Sequence, residues 1–202
     1  MKLLHVDSSI LGGNSVSRQL SAAIVGRLKA ANPTIEVTYR DVAESLAPHT
    51  SGAILGARAA GPEGLGPEIA AAAAATEASL EEFLAADIIV IGAPMYNFAI
   101  PSQLKTWIDT LAVAGRTFAY TATGIEGKCG GKRVIIASAR GGIYSEGPMA
   151  AFDHQEAYLK SLFGFLGITD IEIIRAEGVA IGPDQRSAAI EKANAAIQSL
   201  AA

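Results

Sequence analysis

Residues 3–17 read Leu-Leu-His-Val-Asp-Ser-Ser-Ile-Leu-Gly-Gly-Asn-Ser-Val-Ser, and their reading decides the fold. Leu3 to Val6 is a short apolar run, and the residues from Asp7 to Ser17 are mostly small or polar. From Val16 to Leu28 apolar residues recur at helical spacing. A strand, a loop and a helix in that order open a βαβ unit. The loop carries Ser8, Ser9, Gly12, Gly13, Asn14, Ser15 and Ser17 and ends where the helix begins, so hydroxyls and free backbone N–H groups converge there on an anion. It lacks the Lys-Ser or Lys-Thr ending of a nucleoside triphosphate loop, and it is not a G-x-G-x-x-G dinucleotide fingerprint, so a phosphate monoester is the expected guest. Capping of the helix by Ser15 or Ser17 is compatible with that role. Asp7 would repel an anion, so it is expected to bond to backbone or to a neighbouring element.

The rest of the chain continues the alternation. Ile35, Val37 and Tyr39 alternate with polar residues, which predicts a second strand near the sheet edge. Ala43 to Pro67 is the least ordered stretch, and the Ala-rich run Glu68 to Ala85 predicts a long helix. Asp87 to Gly92 reads as a buried strand, and Ser102 to Val113 as an amphipathic helix with Leu104, Trp107, Ile108 and Leu111 on one side. A short strand at Phe118 to Tyr120, a strand at Val134 to Ala137, a helix from about Ala150 to Leu166, a strand from Ile171 to Ile181 and a helix from Pro183 to Leu200 complete the pattern. This alternation predicts one α/β domain over residues 1–202, a five-stranded parallel sheet with helices on both faces.

Composition narrows the classes of function. Half of the 202 residues are hydrophobic and 18% charged, spread along the chain, which argues against disorder. The formal net charge is −4 and basic residues are scattered, so nucleic acid is not an expected partner. Cys129 is the one cysteine, which excludes an intramolecular disulfide and suits a reducing, cytoplasmic setting. The opening MKLLHVDSS is too short an apolar run for a secretory signal, and the apolar stretches 70–75 and 83–94 are too short to span a bilayer, so no membrane role is expected.

Ligands of an open parallel sheet bind beyond the carboxyl ends of its strands. Two further loops occupy such positions. Pro94-Met95-Tyr96-Asn97-Phe98-Ala99-Ile100-Pro101 combines stiffening prolines with Met and aromatic side chains suited to lie against a flat ring. Ala139-Arg140-Gly141-Gly142 lets backbone approach a ligand closely, and Arg140 offers positive charge to an electron-rich ring edge.

With these segments in hand, the chain resembles the FMN-dependent NADH-azoreductases, relatives of the flavodoxin-like NAD(P)H quinone reductases. The resemblance is carried by H-V-D-S-S-I with S-V-S at 15–17, A-P-M-Y-N-F-A-I-P-S-Q-L-K at 93–105, Arg-Gly-Gly at 140–142 and F-G-F-L-G-I-T-D at 163–170. It implies a flavodoxin-like doubly wound fold, a homodimer, and a ping-pong cycle from NADH through FMN to azo compounds or quinones. It also implies that Ser9, Ser15, Val16 and Ser17 grip the FMN phosphate, that Met95, Tyr96, Asn97 and Phe98 line the isoalloxazine, and that Ala139, Arg140, Gly141 and Gly142 meet its pyrimidine edge. Many members carry Ser where this chain has Ala139. Tyr120 and Phe163, or Leu162 one position earlier, would wall the substrate slot.

The chemistry would belong to the flavin, so no catalytic side chain is expected. Rival readings are a one-electron carrier, which the nearly balanced charge disfavours, and a serine hydrolase using His5, His49 or His154, which the absence of a G-x-S-x-G elbow disfavours. Those histidines have no paired spacing, so no metal site is expected.

Overall fold

Leu3 and Leu4, Ile88 and Ile89, and Val134 and Ile135 are neighbours along their strands, yet all are buried. Side chains alternate faces along a strand, so a sheet that is apolar on both faces must be covered on both. The computed structural model, which describes residues 1–61 and 66–201, has this arrangement. Strands β1 (Lys2–Asp7), β2 (Glu36–Asp41), β3 (Ile88–Pro94), β6 (Arg133–Ala139) and β7 (Asp170–Ala176) form one parallel sheet in the order β2-β1-β3-β6-β7. The order reverses at β1, so the loops after β1 and β3 diverge there and leave a crevice.

Helices α1 (Val16–Ala31) and α6 (Pro183–Gln198) cover one face, where Leu20, Ile24 and Leu28 meet Leu3, Val90 and Ile135. Helices α3 (Pro67–Ala85), α4 (Ser102–Leu111) and α5 (Gln155–Phe165) cover the other, where Phe83, Trp107 and Leu159 meet Ile89, Ile91 and Val134. A hairpin of β4 (Phe118–Thr121) and β5 (Gly124–Gly127) stands apart from the sheet. As expected, β2 is an edge strand.

Several boundaries differ from the sequence expectation for local reasons. The stretch read as irregular contains α2 (Gly52–Ala60), started by Ser51, whose hydroxyl accepts from the Ile54 N–H at 3.3 Å. Gly52 and Gly56 hid this helix, and residues 62–65 of the same stretch lie outside the described residues. The helix expected from Ala150 divides into a 3₁₀ turn (Pro148–Phe152) and α5, because Asp153 Oδ1 accepts from the N–H groups of Gln155 and Glu156, both at 3.1 Å, and starts the helix afresh. The last strand stops at Ala176 rather than Ile181. Gly178 turns with φ 74°, and residues 178–180 fold back onto the 140–142 loop. Helix α4 ends two residues earlier than expected, at Leu111.

One close approach seats α1 on the sheet. A Cβ at Gly92 would lie 2.3 Å from Asp7 Oδ1 and 3.3 Å from the Ser17 carbonyl. Asp7 turns inward, where Ser21 Oγ donates to Oδ1 at 2.7 Å and Tyr39 OH donates to Oδ2 at 3.2 Å. Gly92→Ala therefore overpacks the contact between β1, β3 and the start of α1. It is expected to lower unfolding free energy by about 2 kcal/mol in urea titrations; an unchanged midpoint would mean that the helix start is not locked there.

Candidate functional site

The first turn of a helix leaves N–H groups without intrahelical partners. At α1 the Ser15 hydroxyl accepts the Arg18 N–H at 3.3 Å, while those of Val16 and Ser17 have no acceptor among the described residues. Ser15 Oγ and Ser17 Oγ stand 3.0 Å apart, both buried. Two buried hydroxyls and two orphan N–H groups at the positive end of a helix make a concave donor set for one anion. A phosphate monoester such as that of FMN fits this set. Ser9 is buried beside it, but its hydroxyl is occupied: it accepts the Leu11 N–H at 3.3 Å and meets Tyr96 OH at 3.2 Å.

That last contact ties the first loop to the second. Ile10 N–H also donates to Tyr96 OH at 3.2 Å, so Tyr96 turns its hydroxyl toward the anion loop. Tyr96 and Ala99 exchange backbone hydrogen bonds across Asn97 and Phe98, whose φ values are 49° and 71°. Positive φ at both central residues is the signature of a type I′ turn, in which the second position favours glycine. Phe98 holds the strained position, with its ring 6.0 Å from Tyr144 and 5.3 Å from Phe152 between centroids. The second loop is tied to the third in turn, because Met95 N–H donates to the Ala139 carbonyl at 2.8 Å. The three loops are thus one bonded unit.

In the third loop the carbonyls of Arg140, Gly141 and Gly142 accept from the N–H groups of Val179, Ala180 and Gly178. The Gly141 and Gly142 N–H groups have no partner among the described residues and can meet a ligand. The expectation that Arg140 presents positive charge to a ring is corrected. Its side chain is 0% exposed and turns into the protein, with Nε at 3.0 Å from Ser138 Oγ, Nη1 at 3.1 Å from Glu177 Oε1, and Nη2 paired with Asp153 and Glu156. A buried guanidinium needs such partners, and three carboxylates consume its charge. Ala139 is buried too, its carbonyl held by Met95.

Glu177 and Gln155 belong to the site's support and were missed in the sequence. Glu177 Oε1 accepts from the N–H groups of Tyr144 at 2.9 Å and Ser145 at 3.0 Å. Gln155 Nε2 donates to the Ala93 carbonyl at 2.9 Å, and its Oε1 accepts from Arg140 Nε at 3.2 Å. The available signals were Glu177 next to Gly178 at the end of a strand-like segment and the Asp-His-Gln-Glu series at 153–156. Phe163 is also corrected: it is 0% exposed, stacked on Phe83 in the core, and cannot wall a slot. Leu162 is half-buried against the same core. Tyr120 is 74% exposed on β4 and does not line the cleft beside the second loop. That cleft has a volume of about 910 Å³ and is lined by Ile10, Tyr96, Asn97, Ile100, His154 and Tyr158 among others. It falls within the usual size of small-molecule sites. No group of three or more potential metal ligands occurs among the described residues.

Two outcomes follow from this geometry. Phe98→Gly relieves the positive φ that Phe98→Ala retains, so the glycine variant is expected to be more stable than the alanine variant by about 1 kcal/mol in urea unfolding; equal stability would show the turn to be unstrained. Burial pushes the Glu177 carboxyl up, but hydrogen bonds from Ser145 and Tyr144 and the charge of Arg140 outweigh it and hold it below the ordinary 4.5. A lowered carboxyl contributes stability above its unfolded value and loses it as pH falls through the folded one. The stability gap between the protein and Glu177→Gln is expected to be constant at neutral pH and to close below pH 4.5; a gap that persists in acid would contradict this.

The chain is similar to known proteins in sequence and in fold. A family model described as flavodoxin-like fold matches residues 1–201. The FMN-dependent NADH:quinone oxidoreductase of Rhizobium meliloti (strain 1021) is 58% identical over 197 residues, covering 98% of this chain and 95% of that protein. Its counterpart in Methylocella silvestris is 56% identical over 203 residues, covering 100% of both. Among solved structures, the azoreductase of Bacillus anthracis str. Sterne superposes with a TM-score of 0.87 at 33% identity, covering 99% of this chain and 100% of that one. An FMN-dependent NADH-azoreductase of Bacillus anthracis str. Ames Ancestor in complex with FMN superposes with a TM-score of 0.87 at 27% identity, covering 98% and 95%. The chain belongs to the flavodoxin-like-fold family, in the branch of FMN-dependent NADH:quinone oxidoreductases and azoreductases.

Proposed function

We propose that the chain is an FMN-dependent NADH oxidoreductase that reduces quinones and azo compounds by a ping-pong, two-electron cycle. The observation that carries this reading is the donor set at the start of α1, on a loop whose Ser9 is hydrogen-bonded to Tyr96 at the border of a large cleft. The relatives' names supply the donor and acceptor classes.

In this reading Ser15, Val16 and Ser17 hold the phosphate through hydroxyls and N–H groups, and Ser9 shapes the loop while bonded to Tyr96. Met95 to Phe98 border the isoalloxazine, and the free N–H groups of Gly141 and Gly142 meet its pyrimidine edge. Ala139 and Arg140 act from behind, the first holding Met95 by its carbonyl and the second fixing the loop from within. The chemistry that FMN supplies when bound is hydride uptake from NADH followed by hydride delivery to the acceptor. The chain's own work is anchoring, orientation and an apolar cleft wall beside the ring. No side-chain acid is assigned to protonating the acceptor.

A homodimer is part of this proposal. Tyr120 lies on a hairpin that leaves it open in its own chain, which supports its lining a slot from the partner's side. A cytoplasmic site of action is also proposed; Cys129, a free thiol, suits a reducing compartment. No helix among the described residues is long and apolar enough to cross a membrane.

The purified protein with FMN is expected to lose its flavin absorbance when NADH is added anaerobically and to regain it on addition of a quinone, without a ternary complex in steady-state kinetics. Failure of the colour to return would refute the cycle. Bleaching that needs the quinone to be present first would refute the ping-pong order.

A further inference from the structure

We propose that Arg18 is a positioning residue of the phosphate site, a clamp that ties both ends of the 8–17 loop together and fixes them to edge strand β2. The inference rests on the reading that this loop holds the FMN phosphate. Arg18 stands in the first turn of α1. Its backbone N–H donates to Ser15 Oγ at 3.3 Å, at the far end of the loop. Its side chain reaches back to the near end, where Nε and Nη2 donate to the Ser9 carbonyl at 3.1 and 2.7 Å. The outer edge of the same guanidinium binds Asp41 in a fork, Nη2 to Oδ1 at 2.9 Å and Nη1 to Oδ2 at 2.5 Å, and Nη1 also donates to Tyr39 OH at 3.1 Å.

This arrangement uses every N–H of the guanidinium, which has five in a planar fork. None is left for a phosphate, so Arg18 acts through the loop rather than on the ligand. Asp41 is a firm anchor, because its Oδ1 also accepts from the N–H groups of Ala43 at 3.0 Å and Glu44 at 3.3 Å. The Arg18 side chain is 15% exposed, so the fork is little weakened by water. Charge adds a second effect. Asp7 and Asp41 lie beneath a loop meant for an anion, and Arg18 pairs with Asp41 and stands 3.7 Å from Asp7, which offsets the repulsion both would exert. A loop already held in its binding shape loses less freedom when the phosphate enters. The cofactor's affinity therefore depends on a strand, β2, that contributes none of the residues assigned to holding it.

The test compares full-length protein and variants, freed of flavin and titrated with FMN or with riboflavin, which has the ring but no phosphate. In Arg18→Gln the Kd for FMN is expected to rise roughly tenfold, the scale of losing charge-assisted hydrogen bonds, while that for riboflavin changes less than about twofold. Asp41→Asn, which leaves Arg18 in place but removes its anchoring charge, is expected to act in the same direction by about threefold, and keeps the proposal testable should Arg18→Gln fail to fold. Ser17→Ala removes a hydroxyl of the donor set and reports on the site itself. An FMN affinity unmoved in Arg18→Gln while Ser17→Ala weakens it selectively would overturn the clamp and leave the phosphate site standing. Loss of FMN and riboflavin binding by equal factors in Arg18→Gln would also overturn it, since only general damage acts that way. If neither Arg18→Gln nor Ser17→Ala alters the preference for FMN over riboflavin, the placement of the phosphate fails and the clamp fails with it.

Discussion

The start of α1 comes down onto the sheet at Gly92, where no side chain holds it off, and the rest of the site depends on that contact. A Cβ there would meet Asp7 and the Ser17 carbonyl, so β1, β3 and α1 can close together only around a hydrogen atom. The approach aims the first N–H groups of α1 at the crevice where the strand order reverses. Those donors have no partner among the described residues, as the first N–H groups of a helix have none within it. In the proposed reading a phosphate monoester supplies the missing acceptor.

The second loop is held to the first and the third to the second by hydrogen bonds that leave the N–H groups of Val16, Ser17, Gly141 and Gly142 unpaired among the described residues. Tyr96 reaches Ser9 and Ile10, Met95 reaches Ala139, and His154 N–H donates to the Phe98 carbonyl at 3.1 Å. A site made from three separate strand ends gains rigidity in this way without burying its ligand-facing donors. The Asn97-Phe98 turn shows the cost: Phe98 keeps a conformation that glycine would adopt freely, which places an aromatic ring at the rim rather than a bare backbone.

Charge is used mainly as framework. Arg140 sits among Glu177, Asp153 and Glu156, Arg175 donates to both Glu156 oxygens at 2.7 Å, and Arg18 joins Asp41 to Ser9. Taking a guanidinium out of water is costly unless partners surround it, and Arg140 and Arg18 have carboxylates beside them. Their side chains bond to framework groups behind the loops, which separates the work of holding a shape from the work of meeting a ligand.

The amino-acid sequence by itself determined the class and much of the layout of this protein. The two-sided apolar strands, the helix periodicities and the serine loop before Val16 are local patterns, and local patterns survive without knowledge of distant contacts. For the same reason the parallel sheet, the edge position of β2 and the convergence of three loops were legible. Only the tertiary structure decided where the side chains of those loops point. Arg140 faces inward because acids from α5 and the turn after β7 await it, and Phe163 is core because Phe83 packs on it from α3. The end of β7 at Ala176 was likewise settled at long range, since residues 178–180 bond to the 140–142 loop. Each of these outcomes turns on a partner tens of residues away, and spacing along the chain carries no information about such pairs.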